Sequence, residues 1–445
     1  MSDSWTSAPG HRAYLLGEAL RLLEFFRASV DAKGRFVELD DDGRPMPTGC
    51  PPAPSPRQNL LTVARAVHSY SLGELLGVPG CAAIVERGLE ALWTEHRDAS
   101  AGGYLDAVDA AGAPVGSAGA PGGSKSAYGH AFVVLAGSSA ATAGHDGASE
   151  LLEDSLAVVE ERFWSEEDGA ASEAFSAEWV ELEPYRGANS NMHLCEAFLA
   201  AADARGDARL ALRAERLARR FLDMNARERG WLLPEHYDVG WRALPEHNRE
   251  RPDDPFRPYG VTIGHLLEWA RLAISVGLAT GRLEPWLLEC AAGLFDRATT
   301  LGWDEVHGGL CYTIGWDGAA VDADHYWWPV AEGIGAASYL ARALGDAEGT
   351  YESWYRRFWE FAATHLVDHE RGGWYPQLDE QNRHKVHPWY GKPDVYHALQ
   401  ACLLPLFPLA PSVAAALRPA EGAARPWEQV VAEAAGRRPG RKEQR

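Results

Sequence analysis

Residues 261–273, VTIGHLLEWARLA, lead from a threonine and a glycine into an apolar helix that carries a histidine at its start. Other segments share this plan of a polar or glycine-rich turn, one polar side chain and an apolar helix of small residues. They are KSAYGHAFVVLAG (125–137), NSNMHLCEAFLAA (189–201), HYWWPVAEGIGAASYLA (325–341) and KPDVYHALQACLLP (392–405). A further segment, NLLTVARAVHSYSLG (59–73), has an arginine at the polar position. The chain therefore repeats one structural unit six times.

The polar residues that mark the six units are evenly spaced. Successive markers lie 63 to 72 residues apart, and they are Arg65, His130, His193, His265, Glu332 and His397. About 65 residues suit two helices of ordinary length and their two connections. Helix capping favours Ser, Thr, Asp and Asn, so it does not explain four histidines at helix starts. The shared register predicts that the markers meet at one end of the fold.

A second, amphipathic helix follows the marked helix in most units. Apolar residues recur at spacings of three and four among charged residues in segments 82–96, 155–164, 211–224, 285–299 and 351–366, which indicates helices with one solvated face. The marked helices are apolar nearly all round and are therefore expected to be buried. This alternation predicts an all-α fold, an (α/α)6 barrel with an inner and an outer ring. Glycine-rich stops before YLDAVDAAG (104–112) and LCYTIGWDG (310–318) predict short β-hairpins in the loops.

The repeats cover most of the chain, which bounds its domain organisation. We expect a single catalytic barrel domain over residues 1–411. Residues 412–445 are rich in Ala, Pro and Arg and are expected to form a C-terminal tail that is frayed at its end. Residues 40–58 are rich in Pro and Gly and are predicted to form a loop that approaches the barrel mouth.

Composition argues against several classes of function. The formal net charge is −21, which disfavours nucleic acid and membrane surfaces as partners. No apolar run reaches the roughly 18 residues that span a bilayer, and the N-terminus lacks the order of a signal peptide. The six cysteines are scattered and are interpreted as reduced thiols of a cytoplasmic protein. The 17 Trp and 15 Tyr residues suit an aromatic cleft for a small sugar.

Two His-x-x-Glu pairs permit a metal site. His193 with Glu196, and His265 with Glu268, have the i, i+3 spacing that places both side chains on one helix face. The glutamate has an alternative role, since it could hold the neighbouring histidine in one tautomer. Neither a cysteine nor an H-E-x-x-H motif supports zinc, and we expect no metal.

Two further chemistries fit the marked end of the barrel. Glycoside hydrolysis needs two carboxylates, for which Glu196, Glu268, Glu332 and Asp394 are candidates. Proton transfer instead uses histidine, which takes and gives a proton near neutral pH. Removal of a proton beside a sugar carbonyl also needs hydrogen-bond donors where enediolate charge develops. Candidates for that task, besides the tryptophans, are Arg65, Tyr128 and Asn189.

Four motifs in order, RGANSNMHLCEAF, GHLLEWARL, WWPVAE and GKPDVYHALQ, resemble the N-acylglucosamine 2-epimerase superfamily. The likeness extends from about residue 10 to 411 and is greatest to the aldose–ketose isomerase branch, which includes sulfoquinovose isomerases. It implies an (α/α)6 barrel and a 1,2-proton transfer through a cis-enediol, with no metal and no cofactor. The expected activity is the interconversion of an aldose, D-mannose, with its 2-ketose, D-fructose.

The resemblance also implies roles for individual residues. His397 is expected to be the base that carries the proton between C2 and C1, and His265 is expected to help open the ring and to shuttle protons at the oxygens. The sugar site is expected to be lined by Arg65, Tyr128, Asn189, His193, Glu268, Trp328 and Glu332. His130 is expected to be a supporting or core residue, because Tyr128 matches the family better.

Several alternatives stay open at this stage. A sugar 2-epimerase would use the two histidines on opposite faces of C2, although WWPVAE lacks the Gln that epimerases tend to have. A sulfoquinovose isomerase would need a basic group for the sulfonate, for which Arg257, Lys125 and Lys392 are candidates. An inverting glycoside hydrolase and a non-catalytic sugar-binding barrel belong to other classes. The expected partner is a small monosaccharide, and homo-oligomerisation stays open.

Overall fold

The computed structural model describes residues 4–46, 57–109, 111–116, 122–386, 390–392, 395–418 and 428. Over these residues the chain is built mainly from α-helices. They are α1 (Pro9–Phe25), α2 (Leu60–Leu75), α3 (Cys81–Ala91), α4 (Ala127–Ala143), α5 (Ala148–Val158), α6 (Ala188–Arg205), α7 (Ala208–Ala218), α8 (Ile263–Ala279), α9 (Pro285–Gly302), α10 (Trp327–Leu344), α11 (Thr350–Phe361), α12 (Tyr396–Leu406) and α13 (Val413–Leu417). Helices α3, α5, α7 and α11 each continue into a π-helical turn.

Six helices form a closed inner ring. Helices α2, α4, α6, α8, α10 and α12 pack side by side in that order, and α12 returns to contact α2. Helices α3, α5, α7, α9 and α11 each pack behind the inner helix that precedes them. The inner helices are buried nearly all round, while the outer helices keep a solvated face. The predicted (α/α)6 barrel is therefore confirmed.

The sixth outer helix comes from the N-terminal part of the chain. Helix α1 packs against α12 and buries Leu15, Ala19, Leu22 and Leu23. The sequence repeat does not identify this helix, because it precedes the first marker and does not follow the last. The ring is thus closed by elements from the two ends of the barrel sequence.

Short antiparallel strands fix the starts of the inner helices. The strands are β1 (Arg57–Asn59), β2 (Ala107–Asp109), β3 (Ser124–Ser126), β4 (Trp164–Ser165), β5 (Ala170–Ala171), β6 (Ala174–Ser176), β7 (Arg186–Gly187), β8 (His236–Tyr237), β9 (Val261–Thr262), β10 (Cys311–Ile314), β11 (Ala320–Tyr326) and β12 (Gln377–Leu378). They form the pairs β1–β2, β3–β6, β4–β5 and β7–β8, and one sheet in the order β12–β11–β10–β9. Strands β1, β3, β7, β9 and β11 run directly into α2, α4, α6, α8 and α10. The sheets therefore surround the end of the barrel at which the inner helices begin.

Two segments that the repeat leaves out are partly described. Residues 40–44 form a tight turn, and Leu39 accepts a backbone hydrogen bond from Lys392, just before α12, over 3.0 Å. Residues 47–56 of the predicted 40–58 loop lie outside the described residues. At the start of the predicted tail, α13 packs on α2, α4 and α6 and buries Leu417. Residues 419–427 and 429–445 also lie outside the described part of the chain.

None of the described helices has the length and apolar character needed to cross a membrane.

Candidate active site

The nine predicted site residues lie on the first two turns of the inner helices. At the second or third position of a helix are Tyr128, Asn189, His265, Trp328 and His397. At the sixth position are Arg65, His193, Glu268 and Glu332. Because the inner helices all begin at the same end of the barrel, equal positions lie at equal depth. The repeat register therefore brings all nine residues to one end of the fold, in two layers.

The first histidine of the site is tied to a glutamate on the neighbouring inner helix. Nδ1 of His397 lies 2.9 Å from Oε1 of Glu332, and both side chains are buried. A carboxylate at Nδ1 holds the proton on that nitrogen and leaves Nε2 as the basic atom of the neutral ring. Burial acts to raise the pKa of Glu332, but the charge of Arg271 and the hydrogen bond from His397 lower it below the usual range. Glu332 is therefore a carboxylate.

The second histidine has a partner that sequence reasoning missed. Nδ1 of His265 lies 2.9 Å from Oε1 of Glu235, a buried residue in the loop before β8. The interpretation of Glu268 as the partner of His265 is thus wrong, and the two histidines are held in the same way by glutamates from other elements. Glu235 lies off the inner helices, so no repeat position could have pointed to it.

One tryptophan ring lies next to both histidines. The ring centroid of Trp328 is 5.1 Å from that of His265 and 5.8 Å from that of His397. The indole is seated by Gly264, since a Cβ at that position would lie 2.3 Å from Cζ3 of Trp328. An aromatic face between two bases suits a pyranose, whose C–H groups pack on rings.

A group of buried ionisable side chains lies one layer deeper. Nδ1 of His193 is 3.8 Å from Oε2 of Glu196 and 3.7 Å from Oε1 of Glu268, so neither contact is a hydrogen bond. Glu196 instead accepts hydrogen bonds from the Tyr396 hydroxyl and from Arg271. Glu196 therefore lies in contact with His193 without a hydrogen bond to it, and its role in orienting His193 stays a prediction.

The protonation states within this group differ. Burial lowers the pKa of His193 to about 4, so the imidazole is neutral at pH 7. Burial together with the charges of Glu332 and Glu196 raises the pKa of Glu268 well above its usual range. Both carboxyl oxygens of Glu268 are buried without a hydrogen-bond partner among the described residues. The raised pKa favours the protonated form of Glu268, and in that form the carboxyl group can donate a hydrogen bond.

These three side chains also have the spacing of a metal site. The ligand atoms that His193, Glu196 and Glu268 offer lie within 4.8 Å of one another. The guanidinium of Arg271, however, lies 3.4 Å from Glu196 and 3.8 Å from Glu268. The positive charge of this arginine disfavours a second cation at the same place.

A cation and a phenol face the site from α2 and α4. Nη2 of Arg65 donates to the Tyr128 hydroxyl over 2.9 Å, and the guanidinium also packs over the rings of Phe132 and Tyr396. The Tyr128 ring meets the His193 ring edge-on at 5.0 Å. This arrangement places positive charge and hydroxyl donors beside the buried acids.

Two further polar atoms at the barrel mouth are buried without a hydrogen-bond partner in the described part of the chain. They are Oδ1 of Asn189 and Oε2 of Glu173. The other carboxyl oxygen of Glu173 accepts a hydrogen bond from the Ser190 hydroxyl over 2.7 Å. Buried polar atoms normally have partners, so unpaired atoms of this kind indicate a surface that receives a polar ligand. Glu173 was missed because it lies in a loop with no motif.

The remaining marker, His130, does not face the site. Its Nδ1 lies 2.7 Å from the Ser126 carbonyl oxygen, and its Nε2 accepts from the backbone N–H of Tyr104 over 3.0 Å. Burial lowers the pKa of His130 to about 4, so it is neutral. It supports the loop around Tyr104, and Tyr128 takes its place at the site.

The basic residues considered for a sulfonate are engaged in ion pairs. Nζ of Lys125 binds Asp98 at 2.8 Å, and Nζ of Lys392 binds Asp368 at 2.7 Å; both lysine side chains are fully buried. Arg257 pairs with Glu183 at 2.6 Å. These side chains support loops, so the interpretation of any of the three as a free sulfonate-binding cation finds no support.

The barrel agrees with the comparisons to known proteins. The chain belongs to the N-acylglucosamine 2-epimerase family, whose sequence profile matches residues 34–401. Similar proteins include the D-mannose isomerase of Thermobifida fusca, 45% identical over 93% of this chain and 98% of that protein. The D-mannose isomerase of Pseudomonas cannabina pv. alisalensis is 43% identical over 93% and 97%. A crystal structure of a D-mannose isomerase superposes with a TM-score of 0.79 at 30% identity, covering 88% of this chain and 97% of the other.

Proposed function

We propose that this protein is an aldose–ketose isomerase that interconverts D-mannose and D-fructose. The observation that carries the proposal is the pair of histidines, His265 and His397, each held by a glutamate and both within 6 Å of the Trp328 ring. Relatives that are D-mannose isomerases at 43–45% identity support the choice of substrate.

His397 is the proposed base. Nε2 takes the proton from C2 of the open-chain aldose; the C2–H electrons form the C1=C2 bond, and the carbonyl electrons move to O1, which takes a proton. The product of this step is a cis-enediol. Return of the proton from Nε2 to C1, with loss of the O2 proton, forms the ketose carbonyl at C2. Glu332 stabilises the imidazolium that exists between the two transfers.

His265 is the proposed shuttle at the oxygens. Ring opening needs a proton at O5 and removal of the O1 proton, and a neutral imidazole with one donor and one acceptor nitrogen suits both tasks. Glu235 stabilises the protonated form in the same way as Glu332 does for His397. Both imidazole rings have a glutamate at Nδ1. This similarity favours a role in proton transfer for both histidines over a role for His397 alone.

The residues around the histidines are proposed to bind the sugar. Arg65 and Tyr128 supply a cation and a donor for the enediolate oxygens. Glu268, as a buried neutral acid, donates to a sugar oxygen, while Asn189 and His193 accept and donate at neighbouring hydroxyls. The indole of Trp328 forms the platform for the sugar carbons.

We further propose that the reaction needs neither metal nor cofactor, that the protein acts in the cytoplasm, and that residues 1–411 form its catalytic domain. The main hydrophobic cluster, which runs through the inner and outer helices, supports one domain. The charge of Arg271 beside the His193 cluster supports a reaction without metal. A sulfoquinovose substrate is less favoured, because Lys125, Lys392 and Arg257 are engaged elsewhere.

The test is incubation with D-mannose in D2O without added metal, followed by NMR. We expect D-fructose, with solvent deuterium at C1 where the base exchanges its proton. D-glucose as the sole product would identify a 2-epimerase. Lack of turnover with every free monosaccharide tried would leave a glycoside hydrolase or a sugar-binding barrel.

A further inference from the structure

A third layer of the barrel holds an arginine outside the proposed catalytic and sugar-binding set. Arg271 lies on α8 one turn beyond Glu268 and is only 3% exposed. Its Nε lies 3.2 Å from Oε2 of Glu332, and its Nη2 lies 3.4 Å from Oε1 of Glu196 and 3.8 Å from Oε1 of Glu268. One buried cation therefore faces three buried carboxyl groups from three inner helices.

The fold leaves room for this guanidinium. Gly335 occupies the equivalent position on α10, and a Cβ there would lie 3.3 Å from Cδ of Arg271 and 2.8 Å from Cδ1 of Leu404. A larger residue on α10 would therefore crowd the arginine away from Glu332. The glycine and the arginine form a complementary pair across the neighbouring helices.

The contact to Glu332 links Arg271 to the proposed base. Oε2 of Glu332 faces the guanidinium, while Oε1 of the same carboxylate accepts the hydrogen bond from Nδ1 of His397. Arg271 does not touch His397 itself in any contact of the described residues. Arg271 can therefore affect the His397 imidazole only through Glu332 or through the electrostatic field of its own charge.

We infer that Arg271 is a positioning residue, which keeps Glu332 ionised and keeps the imidazole of His397 neutral with its proton on Nδ1. The inference rests on the proposed function, in which neutral His397 takes the C2 proton. Because Arg271 is buried beneath Glu268, it is expected to affect the chemical step and not the binding of the sugar.

The sign of the effect follows from the charges around the pair. Charged and titratable groups of several helices act on this pair. Arg271, Glu196 and Glu268 act on Glu332. His193 and Tyr396 lie near His397, and Arg65 of α2 packs over the Tyr396 ring. Among the described residues, the arginine or lysine within ion-pair distance of Glu332 is Arg271. Its removal makes an added proton on the His397–Glu332 pair more favourable. Without Arg271, the pair therefore binds this proton at a higher pH, and a protonated His397 cannot act as the base.

The experiment compares Arg271→Met and Arg271→Gln with Arg271→Lys, which keeps the charge. For the two neutral variants we expect kcat near pH 7 to fall by about tenfold or more, KM to change little, and the acid limb of the kcat profile to move up by about one pH unit or more. Activity should recover as the pH is raised. Arg271→Lys should keep the acid limb close to that of the unmodified enzyme.

Arg342→Met is the matched control. Arg342 lies on α10, is partly buried, and donates to the carbonyl oxygens of Leu404 and Phe407. Its loss should lower the unfolding temperature without moving the acid limb. An unmoved acid limb in both neutral Arg271 variants, or an equal movement in Arg342→Met, would overturn the inference.

A readout without sugar separates this inference from the proposed function. In protein with 13C,15N-labelled histidine, the His397 resonance, assigned by its loss in His397→Ala, should titrate at a higher pH in Arg271→Gln than in the unmodified protein. This holds even if free monosaccharides are not turned over. An unchanged His397 titration would overturn the role of Arg271 and would leave the isomerase proposal untouched.

Discussion

Nδ1 of His397 on α12 lies 2.9 Å from Oε1 of Glu332 on α10, and this contact joins two neighbouring inner helices directly at the barrel mouth. The imidazole is therefore held in place from outside its own helix. The same arrangement recurs for His265, whose partner Glu235 comes from a loop. Each proposed proton-transfer histidine is thus held by a residue distant in sequence, and the contribution of that residue to turnover can be measured.

Removal of either imidazole should abolish turnover while sugar binding survives. We expect His397→Ala and His265→Ala each to lower kcat by about a thousandfold or more, because both groups act mainly in the transition state. Calorimetric titration with D-mannose measures the binding that remains. His145→Ala is the control, since His145 pairs with Glu74 beyond the far end of α4. Near-normal turnover by either site variant would refute its catalytic role.

Loss of the charge of Glu235, the loop glutamate that holds His265, should lower turnover less than loss of the histidine itself. Glu235→Gln keeps the shape of the side chain but removes the charge that favours the His265 imidazolium. We expect kcat to fall by about 10- to 100-fold with little change in KM. In the double variant Glu235→Gln/His265→Ala, the glutamine should add nothing to the effect of the alanine. Additive losses would show that Glu235 acts independently of His265.

A methyl group at Gly264 should displace the proposed sugar platform. A Cβ at this position would lie 2.3 Å from the Trp328 ring, which is rigid, so the indole must move away. We expect Gly264→Ala to lower kcat/KM by about tenfold or more. Gly17→Ala on α1 is the matched control, because its Cβ would meet only Arg21 at an ordinary 3.7 Å. Equal activity of the two variants would contradict the placement of Trp328 in the sugar site.

Chelation should leave the reaction rate unchanged. Arg271 already provides positive charge at 3.4 and 3.8 Å from the carboxyl groups of Glu196 and Glu268. We expect prolonged dialysis against EDTA, followed by assay in metal-free buffer, to change the rate by less than about twofold. Loss of activity that one divalent cation restores would establish His193, Glu196 and Glu268 as a metal site.

The buried pair of Lys392 and Asp368 should dominate the stability of the segment before α12. Lys392→Met removes the ammonium at 2.7 Å from Asp368 and leaves this buried carboxylate with the more distant guanidinium of Arg371 at 3.8 Å. The change is expected to lower the free energy of unfolding by about 3–5 kcal/mol. Arg383→Met is the control, because Arg383 is exposed and its pair with Asp379 is worth about 0–1 kcal/mol. Urea unfolding of both variants at pH 7 measures the difference. Equal losses would contradict a structural role for Lys392.

The same pair makes stability depend on pH. Burial acts to raise the pKa of Asp368, but the ammonium of Lys392 and neighbouring hydrogen-bond donors lower it to about 2. Because this folded-state pKa lies below the ordinary aspartate value, the contribution is complete above about pH 4 and is lost as the pH falls through 2. It amounts to roughly 2 kcal/mol, so the unfolding free energy of Lys392→Met should depend less steeply on pH between 4 and 2.

The barrel was predictable from sequence because its inner helices repeat one pattern. Each begins with a turn and a polar residue and continues with small apolar residues, so register, burial and shared depth follow from spacing. The family resemblance gave the same fold, and both predictions are confirmed. Helix α1 was missed because it precedes the first marker and carries no site residue.

The candidate site was predictable in its members but not in its pairings. Position along an inner helix places Glu268 and Glu332 in the same layer, yet it does not say which neighbour each faces. Glu268 was therefore paired with the wrong histidine, while the partnership of Glu332 with His397 was not foreseen. Arg271 has the sequence context of an ordinary helical arginine, and its burial depends on Gly335, a residue 64 positions later.

The closure of the ring by α1 and α12 has a consequence for synthesis on the ribosome. Helix α1 precedes the other barrel helices in the chain, but its inner partner α12 is translated only after the other five inner helices, so its apolar face must wait for α12. The same late helix carries His397. A nascent chain that stops before α12 therefore leaves the apolar face of α1 uncovered and lacks the proposed base. Such fragments are expected to be bound by chaperones or degraded by proteases and to have no activity.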